Sequence, residues 1–150
     1  MSSCEIKIEF LKTHPDAKLP HCGRIDPLTG DSGYDIYCVE PAIIEPGGSD
    51  VVPVGLTVAS IEEGYWFRIE GRSGLGFKHG IHPFNGIIDN SYRGDLSIKL
   101  YNFSNNPAYI EKGDRIAQIV VYPIIQPKMS WTDEISQSDR GDKGFGSSGN

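Results

Sequence analysis

Between Gly86 and Gly94 the chain reads GIIDNSYRG, two branched apolar residues running into an acid and then a tyrosine. An aspartate at the end of a strand is most often a turn or cap residue. Its sharper use is as Asp89, a carboxylate placed to take a proton from water. Tyr92 also has two readings, sheet packing beside a hairpin or a ring laid against a sugar. A second stretch, Gly71-Arg72-Ser73-Gly74, sets an arginine among glycines. The planar guanidinium fork matches phosphate oxygens in pairs, and glycine lets a backbone approach closely. An ordinary turn with an exposed arginine is the alternative for any one such segment. Four of the six arginines, Arg72, Arg93, Arg115 and Arg140, lie within two residues of a glycine in turn-like segments, and that recurrence favours a polyphosphate site. The last glycine-rich run, Gly144 to Gly149, matches GxGxxG. No helix follows it before Asn150, so the dinucleotide-binding reading fails its own context. What remains is a strip with Arg140, Lys143 and two hydroxyls that can wrap backbone N–H groups around phosphate oxygens. Phe145 is its one aromatic, free to lie on a base.

The elements that must carry these residues are short strands. The chain has 18 Gly and 10 Pro in 150 residues, and they interrupt nearly every segment. An average helix needs about 11–12 residues, so few fit. Ile6, Ile8 and Phe10 alternate with Glu5, Lys7 and Glu9, a period of two. Tyr34–Val39, Val51–Val54, Tyr65–Ile69, Leu96–Phe103 and Ile116–Tyr122 are rich in β-branched and aromatic residues and bounded by Gly, Pro or Asn. Leu96, Ile98 and Leu100 share one face, with Ser97 and Lys99 on the other. The run IAQIVVYP is nearly all apolar and reads as a strand covered on both faces. One short helix fits around Gly74–His79, weakened by Gly74 and Gly76. The expectation is an all-β sandwich, jelly roll or barrel over residues 1–135. Residues 136–150 read as a mobile arm.

Composition limits the function. Fourteen basic against twenty acidic residues give a net charge of −6, which argues against a broad basic face for duplex nucleic acid. No stretch approaches the ~18 apolar residues of a membrane span. MSSCEIKIEF lacks the pattern of a secretory leader, and three unpaired-looking cysteines lack a disulfide framework. A cytosolic (or nuclear) setting is therefore expected, without membrane or nucleic-acid partners.

Five segments in order resemble the five motifs of the trimeric dUTP pyrophosphatase (dUTPase) family. They are Asp31–Ile36, Gly71–Gly76, Gly86–Gly94, Gly113–Gln118 and Arg140–Gly149. Any one is weak, but five in this order, with the glycine-rich one at the end, are specific. The resemblance implies a jelly-roll-like β-clip domain with a flexible C-terminal arm. It implies a homotrimer with active sites shared between subunits, and hydrolysis of dUTP to dUMP and pyrophosphate with Mg²⁺ on the triphosphate. By motif position Asp89 resembles the acid that primes the water attacking the α-phosphorus. Gly86, Ile87 and Ile88 resemble the uracil-reading backbone, and Tyr92 the ring under the deoxyribose. Arg72, Ser73 and Gly74 look like the α- and β-phosphate clamp, and Gln118 is similar to a phosphate or metal-water contact. Asp35 resembles an acid that reaches Mg²⁺ through water. Arg140, Ser147 and Ser148 match the γ-phosphate grip, Phe145 the ring that stacks on the base, and Gly146 between them a substrate-binding position. The resemblance further implies that the enzyme limits uracil in DNA and supplies dUMP for thymidylate synthesis.

The chain departs from the family pattern in places. Ser91 stands where many members carry a second acid, Ser148 where threonine is usual, and Asp31-Ser32 where a small pair is common. Asn85 has no family position assigned to it. The rival reading is a relative of the same fold, dCTP deaminase, whose family places a glutamate on the strand after the third motif; here Lys99 occupies that place and is wrong for activating water. A non-catalytic nucleotide-binding trimer is the alternative from another class. Arg93-Gly94-Asp95 and Arg140-Gly141-Asp142 spell an adhesion tripeptide and Asn102-Phe103-Ser104 a glycosylation sequon, both short enough to be coincidence. His79 and His82, or His21 and Cys22, lack the patterning of a zinc site. His79 reads instead as surface or phosphate-proximal, and Cys38 as a small core residue.

Overall fold

A computed structural model of the chain describes residues 5–143. Ten strands and one short helix follow in order: β1 (Ile8–Lys12), β2 (Gly33–Tyr37), β3 (Ala42–Ile44), β4 (Ser49–Ile61), β5 (Tyr65–Glu70), α1 (Ser73–His79), β6 (Ile81–Pro83), β7 (Ile87–Ile88), β8 (Asp95–Asn102), β9 (Ala108–Ile110) and β10 (Arg115–Pro123). They form two four-stranded sheets, ordered β1-β4-β8-β6 and β2-β10-β5-β7, with β3 and β9 as a separate pair. Every pairing is antiparallel. This is the expected all-β fold.

Alternation explains the core. In β8, Leu96, Ile98 and Leu100 are buried while Ser97 and Lys99 are exposed. Their face meets Val52, Val54, Leu56 and Val58 of β4 and Ile36, Phe67, Ile69, Ile116 and Ile119 of the second sheet in one cluster. Phe10 of β1 packs edge-on against Phe67 of β5, ring centroids 6.4 Å apart. Truncating a fully buried phenylalanine such as Phe67 to alanine costs about 3–5 kcal/mol. The strand expected to be covered on both faces, β10, sits between β2 and β5. Ile116 and Ala117 are buried in succession, coverage thins to half-burial over Val120, Val121 and Tyr122, and Pro123 is exposed.

β4 runs thirteen residues, well past the expected Val51–Val54. It passes Pro53 and Gly55 because its register against β8 shifts between Pro53 and Leu56, a bulge. Gly55 takes φ +69°, where a Cβ would also meet His14 at 2.7 Å. β1 pairs with β4 only from Leu56 onward. The missing N–H of Pro53 therefore removes no β1 ladder bond.

Buried polar groups are satisfied. Asn102 is fully buried. It donates to the carbonyls of Ile44 (2.9 Å) and Asn106 (2.7 Å) and accepts from the amide and hydroxyl of Ser104. The sequon asparagine is thus sealed inside the fold. Burial pushes the Cys38 thiol up from its ordinary value, as suits a core residue. In the loop before β2, the amides of Leu28 and Thr29 hold the Asp26 carboxyl below the usual range.

After β10 the chain leaves the body. Residues 124–143 are exposed throughout, with Ile125, Met129, Trp131 and Ile135 at least 78% exposed.

Candidate active site

The pleat of the second sheet builds one half of the site. Gln118 of β10 lies opposite Asp35 of β2 and opposite Glu70 of β5. Three polar side chains thus form a row across three strands, while the neighbouring Ile36, Ile119 and Ile69 point into the core. Gln118 lies over the β2 backbone, where a Cβ on Gly33 would come within 1.7 Å of its Oε1. Its Nε2 donates to the Gly71 carbonyl at 2.8 Å. One glutamine therefore fastens the turn after β5 to both neighbouring strands.

Arg72 leaves that turn and points back over the row. Its Nε donates to Asp35 Oδ1 at 3.1 Å, and its Nη1 to the Arg115 carbonyl at 3.4 Å. Arg115 Nη1 approaches the other Asp35 oxygen at 3.5 Å. One carboxylate thus orients two guanidinium groups and leaves a surplus positive charge with unused N–H donors. α1 runs from Ser73 to His79, and Gly80, with an αL backbone (φ +66°), caps it. Gly71 allows close approach, since a Cβ there would meet His82 at 2.8 Å. Together Glu70–Ser73, Phe77, His82, Phe103 and Gln118 line a cleft of about 630 Å³. Its lining offers the Arg72 guanidinium, the Gln118 amide and the Ser73 hydroxyl to phosphate oxygens, and also carries the Glu70 carboxylate.

The other half lies at the far end of the same sheet. β7 pairs Ile87 with Arg68 and Ile88 with Phe67. The Gly86 carbonyl accepts from the Ile69 amide at 2.9 Å. Asp89 leaves this strand exposed. The turn behind it closes through the Tyr92 amide on the Asp89 carbonyl, 3.0 Å. Asn90 Nδ2 reaches the carbonyls of Ile61, Glu62 and Tyr65 at 3.3, 2.8 and 2.9 Å. Arg93 Nη1 donates to the Asn90 and Tyr92 carbonyls. Tyr92 Oη donates to the Asp95 carbonyl at 2.7 Å, and the ring covers Gly94, where a Cβ would lie 2.4 Å from Oη. An exposed carboxylate beside a half-exposed ring is suited to a water and a sugar.

These placements sort the expected residues. Asp35, Arg72 and Gln118 meet directly, with Ser73 beside them in the cleft and Gly74 in the first turn of α1. Gly86, Ile87, Ile88, Asp89 and Tyr92 form a second group on the opposite edge strand and its turn. Extrapolating the β5–β7 register puts Asp89 level with Trp66, so it stands about 20 Å from Arg72 along β5 at the rise of a strand. Arg140 is exposed and joins neither group among the described residues; its Nε donates to the Lys143 carbonyl. Phe145, Gly146, Ser147 and Ser148 lie outside the described residues. His82, not His79, lines the cleft. Arg115 had a glycine-flanked position but no partner in the sequence reading. Asn90 had no signal beyond its place after Asp89. Lys99 is exposed, with Nζ over the Tyr101 ring. No three His, Cys, Asp or Glu side chains cluster as a metal cage among the described residues.

A family model described as dUTPase matches residues 26–149. The deoxyuridine 5'-triphosphate nucleotidohydrolase of Nautilia profundicola is 43% identical over 96% of this chain and 99% of its own. That of Idiomarina loihiensis is 42% identical over 99% of each. Among solved structures, the dUTPase of Staphylococcus bacteriophage 80alpha with dUPNHPP superposes with a TM-score of 0.79 at 32% identity, covering 96% of this chain and 99% of that one. A mutant dUTPase from phage phi11 of S. aureus, described as coordinating a structural Mg(II) ion, gives 0.72 at 25% identity over 87% and 99%.

Proposed function

The chain belongs to the dUTPase family and is a hydrolase that converts dUTP to dUMP, and from that premise we propose a reaction centre assembled from separate copies of the chain. The carrying observation is the opposition of the two half-sites. The Arg72 cluster and the Asp89 turn stand at opposite ends of one sheet. A rigid sheet cannot bring them together, so the Asp89 end of one copy must face the Arg72 end of another. A closed homotrimer satisfies that head-to-tail requirement at every site. The exposed Phe77 beside the cleft and the exposed Ile87 on β7 support it, since subunit contacts cover such apolar surface.

In this reading uracil lies against the backbone of Gly86, Ile87 and Ile88, and the deoxyribose lies on Tyr92. Close packing under the sugar leaves no room for a 2′-hydroxyl. Asp89 takes a proton from water as the water oxygen bonds to the α-phosphorus. The bond from that phosphorus to the bridging oxygen breaks, and pyrophosphate leaves with the electron pair. Arg72, Ser73, Gly74 and Gln118 hold the departing phosphates, where fixed donors stabilise growing charge. Arg140, Phe145, Gly146, Ser147 and Ser148, on the arm of a further copy, close over the nucleotide and exclude bulk water.

Both Asp35 oxygens face arginines. Each keeps a lone pair for a metal-bound water, so the donor set fits Mg²⁺ held chiefly by phosphate oxygens and water. Mg²⁺ would supply charge neutralisation on the triphosphate; the chain's own part is to orient it through Asp35. The products suit a role in limiting uracil in DNA and supplying dUMP for thymidylate synthesis.

Mixing two inactive variants tests the shared site. Arg72→Ala and Asp89→Asn trimers, dissociated and reassembled one to one, should recover about a quarter of wild-type turnover, the random chance of pairing two intact halves. Absence of any recovery in verified mixed trimers would place both halves in one chain and defeat the reading.

A further inference from the structure

We propose that Asn90 is the positioning residue for Asp89, fixing the acid where it meets water. The inference rests on the reading of Asp89 above and names what holds it. The Asp89 carboxylate is exposed, so its place is set by the backbone on either side. Upstream is β7, only two residues long and at the edge of its sheet. That is weak support, since a two-residue edge strand makes few ladder bonds. Downstream is Asn90, whose amide nitrogen stands 2.8–3.3 Å from the carbonyls of Ile61, Glu62 and Tyr65. Those three belong to the end of β4, the tight connection and the start of β5. One side chain therefore pins the reactive turn to a hairpin of the body.

The residue type follows from the surroundings. Three carbonyl acceptors face the group, which sets the NH₂ toward them and shares its two hydrogens. An aspartate would set oxygen against oxygen, and a serine would be too short. Glutamine would keep the donor but lengthen the tether by one methylene. Tyr92 shares the turn through its amide on the Asp89 carbonyl, but its side chain has anchors of its own, its hydroxyl on Asp95 and its ring on Gly94. Loosening Asn90 should therefore displace the acid more than the sugar-facing ring. A shift of about 1 Å in a reacting group is worth up to about 10²-fold in rate.

The experiment is steady-state hydrolysis of dUTP by full-length Asn90→Ala and Asn90→Gln, with thermal midpoints and Ile44→Val as a stability control. Ile44 is buried, away from this turn. The expected result is kcat lower by about 10- to 100-fold in the alanine variant, with KM within about threefold. Asn90→Gln should keep a near-normal midpoint with kcat still reduced, and Ile44→Val should lose stability but not kcat. Wild-type kcat in Asn90→Ala overturns the inference, as does a loss that appears only in KM, or an equal kcat loss in the control. If the alanine variant does not assemble, the glutamine variant decides: reduced kcat supports, wild-type kcat overturns. Full turnover in Asp89→Asn would instead defeat the reading of the acid itself, whatever Asn90 does.

Discussion

The two ends of the second sheet are fastened by different chemistry. At the Arg72 end, charged side chains reach across strands: one carboxylate on β2 orients an arginine from the turn after β5 and another from β10. At the Asp89 end, side chains hold main-chain carbonyls instead: an amide on three, a phenol on a fourth, and the Arg93 guanidinium on those of Asn90 and Tyr92. The difference matches what each end must do. A phosphate clamp needs a surplus of charge that a ligand can share, and its cations are held loosely enough to do so. A proton acceptor needs a defined place, and hydrogen bonds to main-chain atoms supply one while leaving its carboxylate free of any ion pair among the described residues.

The comparison can be broken first at the acid. Asp89→Asn keeps the side chain's shape and removes its basicity. Turnover should fall by about 10²–10⁴-fold while assembly and affinity for a non-hydrolysable dUTP analogue persist, measured by light scattering and calorimetry. Near-normal turnover would remove Asp89 from the mechanism and reduce its turn to packing.

Deleting residues 139–150 probes what neither end supplies. The segment 139–143 is exposed, so the shortened chain should unfold at the wild-type midpoint. Hydrolysis should nonetheless drop by about two orders of magnitude, because closure over the nucleotide is lost. A full rate in the shortened protein would sink the closing-arm assignment.

The smallest expected effect sharpens the contrast at the charged end. Asp35→Asn leaves Arg72 and Arg115 without their counter-ion. KM for dUTP should rise by about three- to tenfold, with kcat changed less, since the fork is misdirected rather than removed. The midpoint should drop by about 2–4 °C, as befits about 1 kcal/mol from a partly buried pair. A kcat loss as large as that of Asp89→Asn would erase the proposed division between the ends.

How far residues announce these features depends on the range of the interaction. β8 was legible because Leu96, Ile98 and Leu100 alternate without interruption. α1 was legible within a residue, Gly74–His79 against Ser73–His79, because Gly80 supplies its own stop. β4 was truncated in the reading because Pro53 and Gly55 signal a break, and only a bulge with positive φ at Gly55 carries the strand through. The small strands β3, β6, β7 and β9 hold two or three residues each, too few for any period to appear. In the site, the glycine-flanked Arg72 and the acid at the end of Ile87-Ile88 stood out locally. The Asp35–Gln118–Glu70 row did not, because it depends on the register of three strands far apart in sequence. Arg115 was visible as a cation but not as a partner of Asp35, and the three acceptors of Asn90 lie 25 to 29 residues away along the chain.

The chain holds two tryptophans, and the fold gives them opposite surroundings. Trp66 is stacked on Tyr122, centroids 5.0 Å apart. Trp131 stands wholly in solvent on the stretch beyond β10. Light emitted from the second indole shifts to shorter wavelength when water is stripped from it, while the first, stacked on Tyr122 and level with Asp89, reports on the sheet beside the reactive turn. The molecule therefore carries its own optical gauge, mounted on the exposed apolar stretch beyond β10.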